Sequence, residues 1–138
     1  MKFPALAIAL IAGALLLSSC EVSFSTANIQ GARLTVDEEG SAPTTTFAQN
    51  DTFYLLVQLA NAPDTTVTSA RWVAVDVQAE GVPKDHPLQT FDLESGSGML
   101  KFNMANDQLW PLGSYRVDIL LNGEVDRSID FEVAAPGE

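Results

Sequence analysis

Hydrophobic and polar residues alternate with a period of two along most of the chain from residue 27 onward. This is the pattern of half-buried β-strands, in which successive side chains point to opposite faces of a sheet. No stretch of ten or more residues in the same part of the chain shows the period of 3.6 that is typical of an amphipathic helix. We therefore predict an all-β fold.

The alternation predicts about seven strands, separated by segments rich in turn-forming residues. Their predicted ranges are 27–36, 53–60, 70–78, 89–93, 100–104, 115–121 and 125–133. The second strand is apolar on nearly both faces, which predicts a central strand, and Asn122-Gly123 predicts a tight hairpin before the last strand. Short strands at this spacing favour an antiparallel β-sandwich. Side chains expected in its core include Val36, Phe91, Leu93 and Val125.

The sixth predicted strand indicates an immunoglobulin-like sandwich. Tyr115 stands near its start, two residues before Val117, which is the spacing of a tyrosine corner. Val117 and Val57 then occupy the positions that carry the disulfide in antibody domains, and Trp72 falls where the core tryptophan belongs. Gly113 leads into the corner. Trp110, held by the proline after it, is expected to plug one end of the sandwich.

Residues 1–19 contain one cation, Lys2, and then an apolar run that ends at Leu17-Ser18-Ser19-Cys20. The run has the length of a signal-peptide core and is short for a membrane span. There are three alternatives to a lipoprotein signal peptide: a buried helix, a short membrane anchor, or ordinary secretory cleavage that leaves a free thiol at Cys20.

The ending at Cys20 resembles the lipobox of bacterial lipoproteins. The resemblance implies cleavage before Cys20, which then carries fatty acyl chains such as palmitate. It divides the chain into a signal peptide (1–19), a lipidated tether (20–28) and an immunoglobulin-like domain (29–135). It also implies a domain outside the cytoplasm that is anchored to a membrane of the cell envelope. The resemblance does not decide between the inner and the outer membrane.

Further motifs are similar to a largely uncharacterised family of bacterial lipoproteins. They are the segment 23–29, the Asn61-Ala62-Pro63 turn, Trp72, and the stretch from Trp110-Pro111 through Asn122-Gly123 to residues 131–133. These motifs are structural, and the resemblance brings no catalytic residues with it.

The net charge of −11 argues against a nucleic-acid partner and against a domain that lies flat on anionic lipid. Because Cys20 is the only cysteine, its acylation leaves none for a disulfide, and the domain must be stable by packing alone.

Catalytic and metal-binding patterns are weak. His86 is the only histidine, and no Gly-x-Ser-x-Gly elbow surrounds any serine. Gly96-Ser97-Gly98 is interpreted as a hairpin turn. On the last strand Asp126, Asp130 and Glu132 alternate, about 6.6 Å apart for each step of two residues, but calcium needs six to eight oxygen ligands. We predict no catalytic residue, no metal and no cofactor.

An apolar patch is the remaining candidate for function. Tyr54 and Leu56 face away from the core side of the second strand and, with Trp72 or the Val73 row, form a candidate partner-binding patch. The tether or a loop could equally cover it. We expect an anchored envelope lipoprotein whose domain is a binding or structural module for a protein or glycan. The alternative is a small envelope hydrolase or calcium-dependent enzyme that uses His86 and nearby carboxylates.

Overall fold

The computed structural model describes residues 26–136. Eight β-strands and no helix make up the secondary structure of this range. They are β1 (Asn28–Thr35), β2 (Thr46–Phe47), β3 (Phe53–Ala60), β4 (Thr66–Val77), β5 (His86–Ser95), β6 (Gly98–Met104), β7 (Gly113–Leu121) and β8 (Glu124–Val133). The predicted signal peptide, Cys20 and most of the predicted tether lie outside the described residues.

The strands form two sheets that face each other. One has the order β1-β3-β6, and the other has the order β2-β8-β7-β4-β5. Every pairing is antiparallel except that of β2 with β8, which is parallel. With β4, β7 and β8 in the positions of strands C, F and G, and β1, β3 and β6 in those of A, B and E, the order is that of an immunoglobulin-like sandwich. The predicted fold class is confirmed, and β3 is a central strand as expected.

The core contains the side chains that the immunoglobulin-like plan requires. Val57, Trp72 and Val117 are all 0% exposed and fill the space between the sheets where antibody domains carry a disulfide. Trp72 also belongs to a cluster of aromatic rings whose contacting centroids are 4.5 to 6.2 Å apart. Its members are Phe47, Phe53, Trp72, Trp110, Tyr115 and Phe131. Such pairs stabilise a core beyond the area that they bury.

A short strand, β2, was not predicted. Thr46 and Phe47 pair with Glu132 and Val133 of β8, so the chain leaves the sheet of β1 and joins the other one. Phe47 is only 1% exposed. Two residues are too few to show an alternation, so the sequence pattern does not reveal this strand.

Three of the expected core residues are exposed instead: Val36 by 40%, Leu93 by 38% and Val125 by 52%. Val36 follows the last residue of β1 and begins a turn in which its amide donates to Ala42. Leu93 lies on β5, at the edge of the five-stranded sheet. At Val125 the ladder changes register, so that Arg127 lies opposite Ile119 and Val125 opposite Leu120. Phe91 is half-buried and packs against the core.

No helix within residues 26–136 has the length and apolar character that crossing a membrane requires.

Candidate binding surfaces

The corner before β7 is built by a buried tyrosine. The Tyr115 hydroxyl donates to the carbonyl oxygen of Pro111 at 2.6 Å, which is the contact that a tyrosine corner requires. Tyr115 is 2% exposed, and burial raises the pKa of its hydroxyl to about 12 because a buried phenolate would lose its hydration. The corner therefore holds the crossover that precedes β7.

Two neighbours complete this corner. Trp110 stacks on Phe53 with centroids 4.5 Å apart, and its indole N–H donates to the carbonyl of Asp51 at 2.9 Å. Gly113 has φ of +142°, and a Cβ there would lie 2.7 Å from the Cα of Val77. Only glycine fits such a close approach of two backbones. These residues support the frame on which any binding surface rests.

The outer face of the three-stranded sheet carries Tyr54 and Leu56 from β3. Leu56 is only 3% exposed because the loop after β1 lies over it, and a Cβ on Gly40 would come within 2.6 Å of its Cδ2 atom. The Arg33 Nε donates to the carbonyl of Gly40 at 3.3 Å and helps to hold the loop there. Tyr54 is half-buried.

The prediction of an outward apolar patch is therefore wrong for two of its three residues. Trp72 points into the core and is 0% exposed. Leu56 lies on an outer face but is covered by the chain itself, through the loop that contains Gly40. The structure does not bring Trp72 together with Tyr54 on one surface, since they face different sides of different sheets.

The covering loop is closed by Asp37. Its carboxylate accepts hydrogen bonds from the hydroxyl of Ser41 at 2.6 Å, from the Ser41 amide at 3.0 Å and from the Ala42 amide at 2.9 Å. These donors, the Ser41 hydroxyl first, lower the pKa of Asp37. The acidic segment after β1 thus has a defined conformation.

The outer face of the five-stranded sheet carries a buried carboxylate. Asp118 of β7 is 3% exposed and accepts from Arg71 Nε at 3.1 Å, from Arg116 Nε at 2.8 Å and from the Ser128 hydroxyl at 2.6 Å. We call these four residues the Asp118 network. Burial alone raises the pKa of Asp118, but the hydrogen bonds from Ser128, Arg116 and Arg71 outweigh it, and the net shift is downward.

The network exists because three strands bring its members into register. Arg71 of β4 lies opposite Asp118, and Asp118 lies opposite Ser128 of β8. The side chains of Arg71 and Arg116 remain 39% and 30% exposed, so their free N–H groups face solvent. Sequence reasoning missed this site. Its one visible signal was the spacing of Arg116 and Asp118, two residues apart on the outward side of a predicted strand.

His86 is half-buried at the first position of β5. Of the nearby acids, Asp85 lies 3.6 Å from Arg116 Nη1, and Asp76 lies 3.8 Å from the Lys84 ammonium. Within residues 26–136 no group of three or more His, Cys, Asp or Glu side chains is arranged to hold a metal ion.

The acids of β8 do not share one row. Asp126 accepts from Arg127 Nε at 2.9 Å and lies at the register shift of this ladder. Beyond that shift Asp130 and Glu132 lie on the same outer face. There the Thr46 hydroxyl donates to Glu132 at 3.4 Å.

A groove opens between β5 and β6, which are the edge strands of the two sheets on the same side of the sandwich. It has a volume of about 330 Å³. Its large apolar side chains are those of Phe91, Leu93, Phe102 and Met104. We call it the β5–β6 groove. The turn that joins its two strands contains Gly96-Ser97-Gly98, where the Ser97 hydroxyl accepts from the Ala62 amide at 2.9 Å.

No family model and no curated protein matches this chain. Among solved structures it is similar to the crystal structure of an immunoglobulin-like protein from Pseudomonas aeruginosa. The two are 15% identical, the match covers 78% of this chain and 96% of that chain, and the TM-score is 0.49. The fold assigned above rests on the strand order and the core of the chain itself.

Of the predicted site residues, Trp110, Gly113 and Tyr115 come together at the corner, and Val117 lies with Trp72 in the core. Among residues 26–136, two candidate binding surfaces are the outer face around the Asp118 network and the β5–β6 groove.

Proposed function

We propose that this chain is a lipid-anchored lipoprotein of the bacterial cell envelope whose immunoglobulin-like domain binds a protein or glycan partner outside the cytoplasm. The apolar run that ends at Cys20 supports the anchor. Two or more acyl chains on that cysteine would give stable attachment to a membrane, because each buried CH₂ contributes about 0.8 kcal/mol.

The Asp118 network supports a binding role. A buried carboxylate on a sheet face costs desolvation energy, and replacing such an ion cluster by apolar side chains is often neutral or stabilising. Stability alone is therefore a weak reason for this arrangement. What the network does achieve is to hold Arg71 and Arg116 in fixed orientations, which lowers the entropy that a partner's contact would otherwise cost.

The two guanidinium groups define what the face can bind. Arg71 uses Nε and Nη2 on Asp118, which leaves Nη1 free, since each guanidinium has five N–H donors. Partner groups that accept hydrogen bonds suit these donors, such as the hydroxyls of a glycan or the carbonyl groups of a protein. The surrounding polar side chains, among them the Ser69–Asp92 pair at 2.6 Å, offer acceptors to the same partner.

The proposal is one of binding without catalysis. It is overturned if the purified protein turns over a cell-wall or ester substrate and that activity disappears in His86→Ala.

The anchor and the surface are tested separately. Metabolic labelling with palmitate, followed by mass spectrometry of the N-terminal peptide, should show acyl chains on Cys20. For the surface, the anchored protein is solubilised in mild detergent, and its partners are recovered and quantified by mass spectrometry. Recovery of a true partner should fall several-fold in Arg71→Gln.

Arg127→Gln is the matched control, because the Arg127 side chain has the same 39% exposure as that of Arg71 but lies on β8, near the side of the sandwich formed by β1 and β8. Equal recovery with wild-type protein and Arg71→Gln, or equal loss in both variants, would remove the five-stranded face as the binding surface.

A further inference from the structure

We propose that the β5–β6 groove binds an extended basic peptide segment, which adds to the free edge of β5 as an extra antiparallel or parallel strand. This site uses none of the four residues of the Asp118 network, although Asp92 borders both surfaces, and it does not depend on the lipid anchor. The inference rests on the strand order, on exposed apolar side chains and on the placement of charge.

The first observation is an open edge. β5 pairs with β4 on one side only and ends its sheet, and β6 likewise ends the other sheet. β5 is ten residues long, so it leaves a row of backbone N–H and C=O groups without a neighbouring strand. Such an edge is a template for another strand, and natural proteins often cover it or shorten it.

The second observation is an apolar surface directly behind that edge. Phe91 and Leu93 lie opposite Ala70 and Thr68 of β4, on the inner side of the sheet. Leu93 is nevertheless 38% exposed. With Met104 it lines the groove of about 330 Å³, which is large enough for one or two apolar side chains of a partner.

The third observation is charge on the other side of the same strand. Asp92 lies opposite Ser69, and Glu94 lies opposite Val67, so both carboxylates are on the outer face. Both residues are exposed. A strand added to β5 would therefore meet apolar side chains on its inner side and carboxylates on its outer side.

These three features specify the occupant. Cross-strand neighbours face the same side of a sheet, so the favoured segment alternates apolar residues, which enter the groove, with lysine or arginine, which face Asp92 and Glu94. Lys101 also lines the groove and lies opposite Leu56 on the outer face of the other sheet; none of the ion pairs among residues 26–136 joins it to Asp92 or Glu94. A second copy of this chain is disfavoured because each copy has a net charge of −11.

The test uses the full-length protein in a neutral detergent and a fluorescein-labelled octapeptide, Lys-Val repeated four times, as the probe. Fluorescence anisotropy measures the dissociation constant, and the Glu-Val octapeptide is the control. We expect saturable binding of the Lys-Val peptide only. In ¹⁵N-labelled protein, the peptide should shift the amide signals of β5 more than those of β1 or β8.

Two pairs of variants locate the site. Leu93→Ser should weaken binding about tenfold, which corresponds to the burial of one aliphatic side chain, whereas Val125→Ser, at a more exposed valine on β8, should leave it unchanged. Glu94→Lys should weaken binding about fivefold, whereas Glu124→Lys makes the same charge change on β8. Thermal unfolding of each variant verifies that it is folded. If Leu93→Ser does not fold, the amide shifts that the peptide causes in the wild-type protein decide the location of the site.

Four results would overturn the proposal. Equal weakening by the β5 and β8 variants, or equal binding of the Glu-Val peptide, would mean nonspecific attraction. Amide shifts centred on another face would place the site elsewhere. Sedimentation that shows a dimer without peptide, dissociated by Leu93→Ser, would identify a second copy as the occupant.

Discussion

The hydroxyl of Tyr115 provides a sharp test of the fold, because a single oxygen atom can be removed there. In Tyr115→Phe the ring keeps its stacked contact with Phe131, whose centroid is 5.5 Å away. The lost group is the donor of the 2.6 Å hydrogen bond to Pro111. A buried acceptor that loses its donor costs about 1–3 kcal/mol.

That loss is large for a domain of this size. Small domains have a total free energy of unfolding of about 5–15 kcal/mol, and no disulfide can compensate here, because Cys20 is the only cysteine. Each kcal/mol lowers the melting temperature of a domain of about this length by roughly 3–6 °C. Urea unfolding followed by tryptophan fluorescence should show a lower midpoint with an unchanged slope.

The pH dependence adds a second readout. Tyr115 has a folded pKa of about 12 against an ordinary value of 10.0. Because the folded state holds the proton more tightly, the contribution of Tyr115 is fully present below pH 10 and is lost as the pH rises from there through about 12. The difference in stability between wild type and Tyr115→Phe should therefore shrink over this interval.

Tyr54→Phe is the matched control, since the chain has two tyrosines and Tyr54 lies half-buried on an outer face. It should change the free energy of unfolding by less than about 0.5 kcal/mol. If Tyr115→Phe were as stable as wild type, or if both variants lost the same stability, the assignment of a tyrosine corner would be wrong.

Three further changes test other parts of the chain. Gly113→Ala should destabilise the domain by about 2–4 kcal/mol through backbone strain and steric contact, while Gly123→Ala, which has open space around it, should cost about 1–2 kcal/mol; chemical denaturation compares them. Asp118→Asn should cost about 1–3 kcal/mol near neutral pH. Because the folded pKa of Asp118 is lowered, this difference should diminish as the pH falls below about 4 and should be lost as the pH falls through the lowered pKa. Cys20→Ala should abolish palmitate labelling and release the protein from membranes or leave its signal peptide uncleaved.

Each of these has a contrary outcome. Equal losses in the two glycine variants would mean that the close approach at Gly113 is not required. If the stability difference between wild type and Asp118→Asn persisted in acid, the ionised Asp118 carboxylate would not be its cause. Native protein with an unmodified Cys20 thiol would refute the lipid anchor.

The core could be predicted from the sequence because its signals are local. Tyr115 and Val117 are two residues apart on one strand, and the alternation around Val57 and Trp72 shows which strands are buried. Each of these side chains has its place determined by strand periodicity, so the immunoglobulin-like plan follows without knowledge of the pairing.

The surfaces could not be predicted because they depend on pairing and on what covers each face. Arg71, Asp118 and Ser128 are far apart in sequence and meet only through the register of three strands. The apolar pattern of β3 shows that Leu56 needs a cover, but the covering loop around Gly40 is polar and has no periodic signal. The register shift near Val125 reversed one expected burial for the same reason.

The transfer of the chain from one sheet to the other between β1 and β2 has a mechanical consequence for an anchored protein. A pull from a lipid at Cys20 would enter the domain at Asn28 and load β1, which is held by its ladder to β3 and by the 2.8 Å contact from Arg127 to Ile29. The sheet that carries the Asp118 network would first bear load through the contact of Arg127 with Ile29 and, after β1 had peeled away, through β2. Residues 28–45 then act as a released segment whose fully extended length is at most roughly 60 Å. In a single-molecule pulling experiment the membrane end could thus yield by one step while a partner on the five-stranded face stays bound.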